Sequence, residues 1–140
     1  MVAYSFKARF AEPILAGTKL HTVRAPRKRD ARPGEELQLY RGMRTKQCAL
    51  IARKTCIAVL PVIICPQDNW IAVAEGYPWP GRWPDVRGLS RKYSYVDIDS
   101  FARRDGFVDW EEMRGFWLDE HPQPRDGFSF QGALIGWWKQ

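Results

Sequence analysis

The chain's 140 residues fit one domain with one core, and no run of about 18 apolar residues is present to span a membrane. The N-terminus carries Lys7 and Arg9 where a secretory signal needs an apolar stretch, and Cys48, Cys56 and Cys65 are odd in number and lack paired metal-ligand spacing. These features indicate neither a disulfide framework nor a structural zinc site, and the expectation is a soluble, cytoplasmic monomer with no cofactor and no membrane partner.

In chain order, "YSFKARF" alternates Tyr4, Phe6, Ala8 and Phe10 with polar residues, as a half-buried strand does. "EPILAG" reads as one or two helical turns, with Pro13 at the first helical position and Gly17 at the C-terminal stop. "LHTVRA" resumes an extended pattern, and "RPGEELQLY" is a Pro-Gly turn entering a further strand. Gln47 to Cys65, interrupted by Arg53, Lys54 and Pro61, predicts two strands or one strongly bent strand, and "NWIAVAEG" another. "GYPWPGRWPDVRG" has the composition of an ordered irregular loop.

The C-terminal part carries the helical signals. "DSFARRDGF" suggests an Asp99 cap and a Gly106 stop, and Asp109 three residues before Glu112 has the spacing of a reciprocal cap. That helix should end near His121 and Pro122, with "FSFQGALIGWW" as the closing strand. Strands outnumber helices without regular alternation, so the expected fold class is α+β. The expected architecture is a small mixed or antiparallel barrel with two or three short helices, spanning residues 1–140 as a single domain.

Charge is distributed unevenly. Residues 1–60 hold 13 Lys/Arg and 4 Asp/Glu, a balance of +9, whereas residues 61–140 hold 9 and 12, a balance of −3. "RAPRKRDAR", residues 24–32, concentrates five of the cations in a loop that reads either as solvated surface or as a phosphate-facing patch able to hold RNA.

Within "GTKLHTVR", strand parity puts Leu20, Thr22 and Arg24 on one face and His21 and Val23 on the other. His21 therefore reads as a packed or surface histidine, with a catalytic base as the alternative. Neither Lys19 nor Thr22 is expected to carry core packing.

Phe10 to Tyr40, with "ILAGTKLHTVR" followed by "RPGEELQLY", resembles the opening of ASCH-domain proteins, a family with a PUA-like barrel. "FARRDGFVDWEEMRGFW" and "FSFQGALIGW" resemble that family's later helical segment and terminal strand, leaving an apparent insertion at residues 66–96. The resemblance implies a cavity at the barrel mouth for a nucleobase or nucleoside. Some small members are amidohydrolases that remove acyl groups from the exocyclic amine of N4-acylcytidines. On that motif the catalytic lysine, threonine and acid fall on Lys19, Thr22 and Asp105, the last being one methylene shorter than the family's glutamate. Glu75 is the second candidate acid, and Arg24, Glu75 and Trp79 are candidate substrate contacts. Trp83 is a further candidate for stacking on a base.

The chemistry is coherent in the residues themselves. A threonine hydroxyl attacks an amide only when a neighbour takes its proton, and a desolvated lysine, or one held near Arg24, does so as the neutral amine. A carboxylate at Asp105 would orient that lysine or protonate the leaving amine, yet its charge opposes the neutral form. Otherwise Arg24 would pair on the surface with Glu35 or Glu36, and Asp105 would merely end a helix beside Gly106. The competing function classes are a non-catalytic RNA or modified-base binding module, acting through residues 24–32, and a protein-binding role for the insertion.

Overall fold

Alternating side chains and turn-forming residues divide this chain into short elements, which a computed structural model describes for residues 2–79, 81–82, 93–120 and 129–139. In chain order these are β1 (Val2–Phe6), a 3-10 turn (Ala8–Phe10), α1 (Ala11–Ala16), β2 (His21–Arg24), β3 (Glu36–Arg41) and β4 (Ala49–Thr55). There follow β5 (Ala58–Cys65), β6 (Trp70–Ala74), β7 (Gly81–Arg82), β8 (Tyr93–Val96), α2 (Ile98–Arg104), α3 (Trp110–Glu120) and β9 (Phe130–Gly136). Trp83, the expected helix end at His121–Pro122 and much of the Pro/Trp-rich loop lie outside the described residues.

The fold is mixed α+β. One sheet has the order β1-β3-β4 and the other β2-β9-β5-β6-β8-β7; every strand pair is antiparallel except β1 with β3. The Gln47–Cys65 stretch is two strands, and β5 runs on through Pro61, which pairs with Ala133 of β9. At the break between them the chain changes sheets: Cys56 N–H donates to the Glu35 carbonyl and Ile57 N–H to that of Gly136. No described helix is long and apolar enough to cross a membrane. Cys48 is exposed, while Cys56 and Cys65 are buried free thiols.

Two arginines of the basic segment join the sheets. Arg24 donates to the Ser5 carbonyl at 2.6 Å and Arg27 to the Ala3 carbonyl at 3.4 Å, tying β1 to the end of β2 and the loop beyond it. Their guanidinium groups also cover rings of β1, Arg24 over Phe6 at 4.7 Å and Arg27 over Tyr4 at 4.2 Å. The alternative pairing of Arg24 with Glu35 or Glu36 does not form: Arg29 holds Glu35 at 2.7 Å and Arg53 approaches Glu36 at 3.7 Å.

Helix ends follow local chemistry with two corrections. Pro13 stands third in α1, still within the first turn, where its missing N–H has no acceptor to serve. Asp97, not Asp99, caps α2: β8 ends at Val96, so the helix starts two residues earlier, and the Asp97 carboxylate accepts from Ser100 N–H at 3.0 Å. Asp99 instead accepts from Trp110 N–H at 2.9 Å and so links the starts of α2 and α3. Asp109 caps α3 as its spacing predicts, accepting from Glu112 N–H, while the Glu112 carboxylate reaches back to Val108 N–H.

Candidate functional site

Lys19 is fixed by a succession of backbone constraints. Gly17 ends α1 in the left-handed conformation, φ 80°, and the next two N–H groups, Thr18 and Lys19, both donate to the Pro13 carbonyl. Leu20 N–H then donates to the Arg104 carbonyl at the end of α2, and the Trp137 indole N–H donates to the Lys19 carbonyl. The motif is therefore clamped between α1, α2 and the residues after β9, and β2 starts from a fixed point.

The acid arrives from α2. Asp105 is the C-cap of that helix, and Gly106 follows at φ 98°, a conformation that favours glycine. Space requires glycine too, since a Cβ there would stand 2.9 Å from Lys19 Cδ and 3.1 Å from a Phe10 ring carbon. The Lys19 side chain crosses this glycine, and its amine donates to the Asp105 backbone carbonyl. Its Nζ lies 3.6 Å from Asp105 Oδ1 and 4.7 Å from the Phe10 ring centroid.

Lys19 is 2% exposed and Thr22 5%, so contrary to the sequence expectation both are packed into the core. Burial lowers the Lys19 amine from 10.5 to about 8, Asp105 opposing this and Arg24 and Arg9 assisting. Burial likewise lowers the Arg24 guanidinium from its usual value. Arg24 Nε donates to Thr22 Oγ1 at 3.3 Å, the two residues sharing the strand face that parity assigns them.

These groups line one cavity of about 510 Å³. Ser5, Lys19, Thr22, Arg24 and Asp105, with the ion-paired Lys7 and Glu120, form its polar part, and Phe6, Phe10, Phe107, Phe116, Trp117 and Phe130 its aromatic wall. Phe10, Phe107 and Phe116 make mutual ring contacts at 5.3 to 5.9 Å, which gives the wall a defined shape. The volume falls within the range of small-molecule sites. Glu75 and Trp79 do not line it: Glu75 is exposed, and Trp79 packs on Tyr77 and Trp138 with Arg104 stacked over its ring at 4.1 Å. Among the described residues no His, Cys, Asp and Glu side chains form a group able to hold a metal ion.

His21 has a larger part than its strand parity suggests. It is fully buried on the opposite face from Thr22, yet its Nδ1 lies 2.9 Å from Asp105 Oδ1 and its Nε2 3.0 Å from the Tyr77 hydroxyl. Phe101, Tyr77, Trp79 and Trp138 surround the ring. Sequence reasoning also passed over the aromatic wall, whose members come from β1, the 3-10 turn, the α2–α3 connection, α3 and β9. No family model, curated protein or solved structure matches the chain.

Proposed function

We propose that the protein is an amidohydrolase that removes acyl groups from the exocyclic amine of N4-acylated cytidine or a related nucleoside, and that its two sheets are the walls of a PUA-like barrel. The observation that carries this reading is the buried Lys19 amine in one cavity with Thr22, Arg24 and Asp105, where burial weakens its hold on the proton. Neutral Lys19 takes the Thr22 hydroxyl proton as Oγ1 attacks the acyl carbonyl. The C–N bond breaks, the cytosine amine leaves with the proton returned by Lys19, and the acyl group stays on Thr22 as an ester. Water, deprotonated by Lys19, then releases the carboxylic acid and restores the hydroxyl. Arg24, already donating to Thr22 Oγ1, offers its guanidinium N–H groups to the charge that develops on the carbonyl oxygen. Asp105 orients the lysine through its carbonyl.

The second reading, an RNA or modified-base binding module, draws on the positive first half of the chain. Of its loop cations, Arg24 and Arg27 hold β1 and Arg29 holds Glu35, which leaves Lys28 and Arg32 without side-chain partners among the described residues. Loss of absorbance on incubating the purified protein with N4-acetylcytidine tests the first reading. No turnover, together with RNA binding that weakens steeply with salt, would replace it with the second.

A further inference from the structure

Asp105 Oδ1 faces two nitrogen groups, and they are not equivalent. His21 Nδ1 stands at hydrogen-bond distance, 2.9 Å, whereas Lys19 Nζ stands at 3.6 Å and donates to the backbone carbonyl of the same residue. A carboxylate accepts only, so the His21 proton is on Nδ1. Nε2 is then an acceptor, and the Tyr77 hydroxyl is its donor at 3.0 Å. The ring is neutral in this arrangement, and burial, the largest influence on it, lowers its pKa further from the range of a charged imidazole.

We propose that His21 is a positioning residue for Lys19: its Nδ1–H holds the Asp105 carboxylate away from the lysine, leaving Lys19 on the Asp105 peptide carbonyl in the cavity that Thr22 lines. The arrangement reconciles the two demands on the acid. Asp105 orients the lysine through an uncharged oxygen, while its charge is partly taken up by a donor on the far side. The shorter side chain of aspartate suits this, because its carboxylate stays close to the helix end that His21 faces.

The groups acting on Lys19 are Asp105, which favours its proton, and Arg24 and Arg9, which disfavour it. Those acting on His21 are Asp105, Lys19 and Arg104, with the Tyr77 hydroxyl as hydrogen-bond partner. Burial raises the Tyr77 hydroxyl well above its usual value, so it remains a donor. With the imidazole donor removed, Lys19 is the remaining partner of Oδ1, and the ion pair tightens. The Lys19 midpoint should then rise by about one pH unit, a tenfold loss of neutral amine near neutrality.

The catalytic meaning of this inference rests on the amidohydrolase reading, but the Lys19 midpoint is a property of the free protein. It is read by heteronuclear NMR of the lysine side chains, with Lys19 assigned from its absence in Lys19→Met. His21→Leu should raise the midpoint about one pH unit, and His21→Asn, which keeps an N–H close to where Nδ1 was, should restore it. In the wild type, ring nitrogen spectra near neutral pH should show His21 protonated at Nδ1 alone. This measurement decides the matter even where His21→Leu does not fold. An unmoved midpoint in folded His21→Leu, or a ring proton on Nε2, overturns the proposal. A shifted midpoint in a protein that does not deacylate N4-acetylcytidine upholds the positioning role and refutes the amidohydrolase reading.

Discussion

Replacing Lys19 by methionine should abolish a pH dependence of stability that the wild type shows above neutrality. In the folded chain Lys19 loses its proton at about 8, against 10.5 for an ordinary lysine. Between these values the unfolded chain holds more protons, so stability rises with pH across the window; below about pH 8 the full penalty of burying the ammonium is carried. That penalty is about 3 kcal/mol, at about 1.4 kcal/mol per pH unit, and about 1.3 kcal/mol of it should be recovered between about pH 7 and 9. The buried Cys56 thiol, held up at about 11, and the Cys65 and Tyr77 groups, also raised, act in the opposite direction at higher pH. The window therefore closes at about pH 9 and is read as a difference between wild type and variant, in which those contributions cancel. Methionine also strips the Asp105 carbonyl of its lysine donor, at about 1 to 3 kcal/mol, but that offset does not vary with pH. Urea unfolding followed by tryptophan fluorescence reads the difference. At a slope of about 2 kcal/mol/M, the wild-type midpoint should climb about 0.6 M more than that of Lys19→Met from about pH 7 to 9. Midpoints that move in parallel would show that the folded lysine is an ordinary one, and the general-base argument would fall with it.

On the amidohydrolase reading, kcat/KM for N4-acetylcytidine should rise through about pH 8 and level above it, because neutral Lys19 is the active form; a rate already at its maximum at pH 7 contradicts this. Thr22→Ala should lower kcat by about a thousandfold or more, with a melting temperature within a few degrees of wild type, and substantial residual turnover would remove Thr22 as nucleophile. Gly106→Ala should cost about 1 to 3 kcal/mol, since it combines a left-handed φ with a 2.9 Å approach to Lys19, and it should also reduce turnover; a neutral effect on both would mean that Lys19 is free to move aside. Arg27→Ala should destabilise the fold by about 1 kcal/mol through its lost bond to β1 and its lost stacking on Tyr4, and unchanged stability would free that residue for a ligand.

Much of the fold was legible because its signals are local. Period-two alternation marked β1, although the strand ends at Phe6 and the expected continuation through Ala8 and Phe10 is a 3-10 turn, and a Pro and a Gly in six residues marked α1 with its stop. Errors arose where two residues of one type competed for one role. Asp97 and Asp99 are equally good caps, and only the point at which β8 ends decides between them. The basic loop shows the same limit at larger scale. Arg24 and Arg27 look like surface cations in a linear reading, and nothing nearby in sequence announces that the carbonyls of Ser5 and Ala3 lie within their reach.

The site was legible on one side only. Lys19 and Thr22 belong to one motif, whereas Asp105 was joined to them only through the family resemblance, and the close packing of its neighbour Gly106 on Lys19 is visible only in the structure. His21 was set aside because strand parity turns it from Thr22, and that parity is correct. The inference failed because Asp105 comes from a helix end beside the start of β2, so one residue both lines the cavity of Thr22 and meets His21 through its carboxylate. Parity assigns a side chain to a face of its own sheet, but it does not constrain a group arriving from another element. The two faces of β2 thus join through Asp105, with the cavity that Thr22 lines on one and the aromatic surround of His21 on the other. An acid confined to the cavity side would bear directly on Lys19 and favour its charged form. An acid seated between the faces gives its oxygen to the buried imidazole and leaves the lysine to a peptide carbonyl.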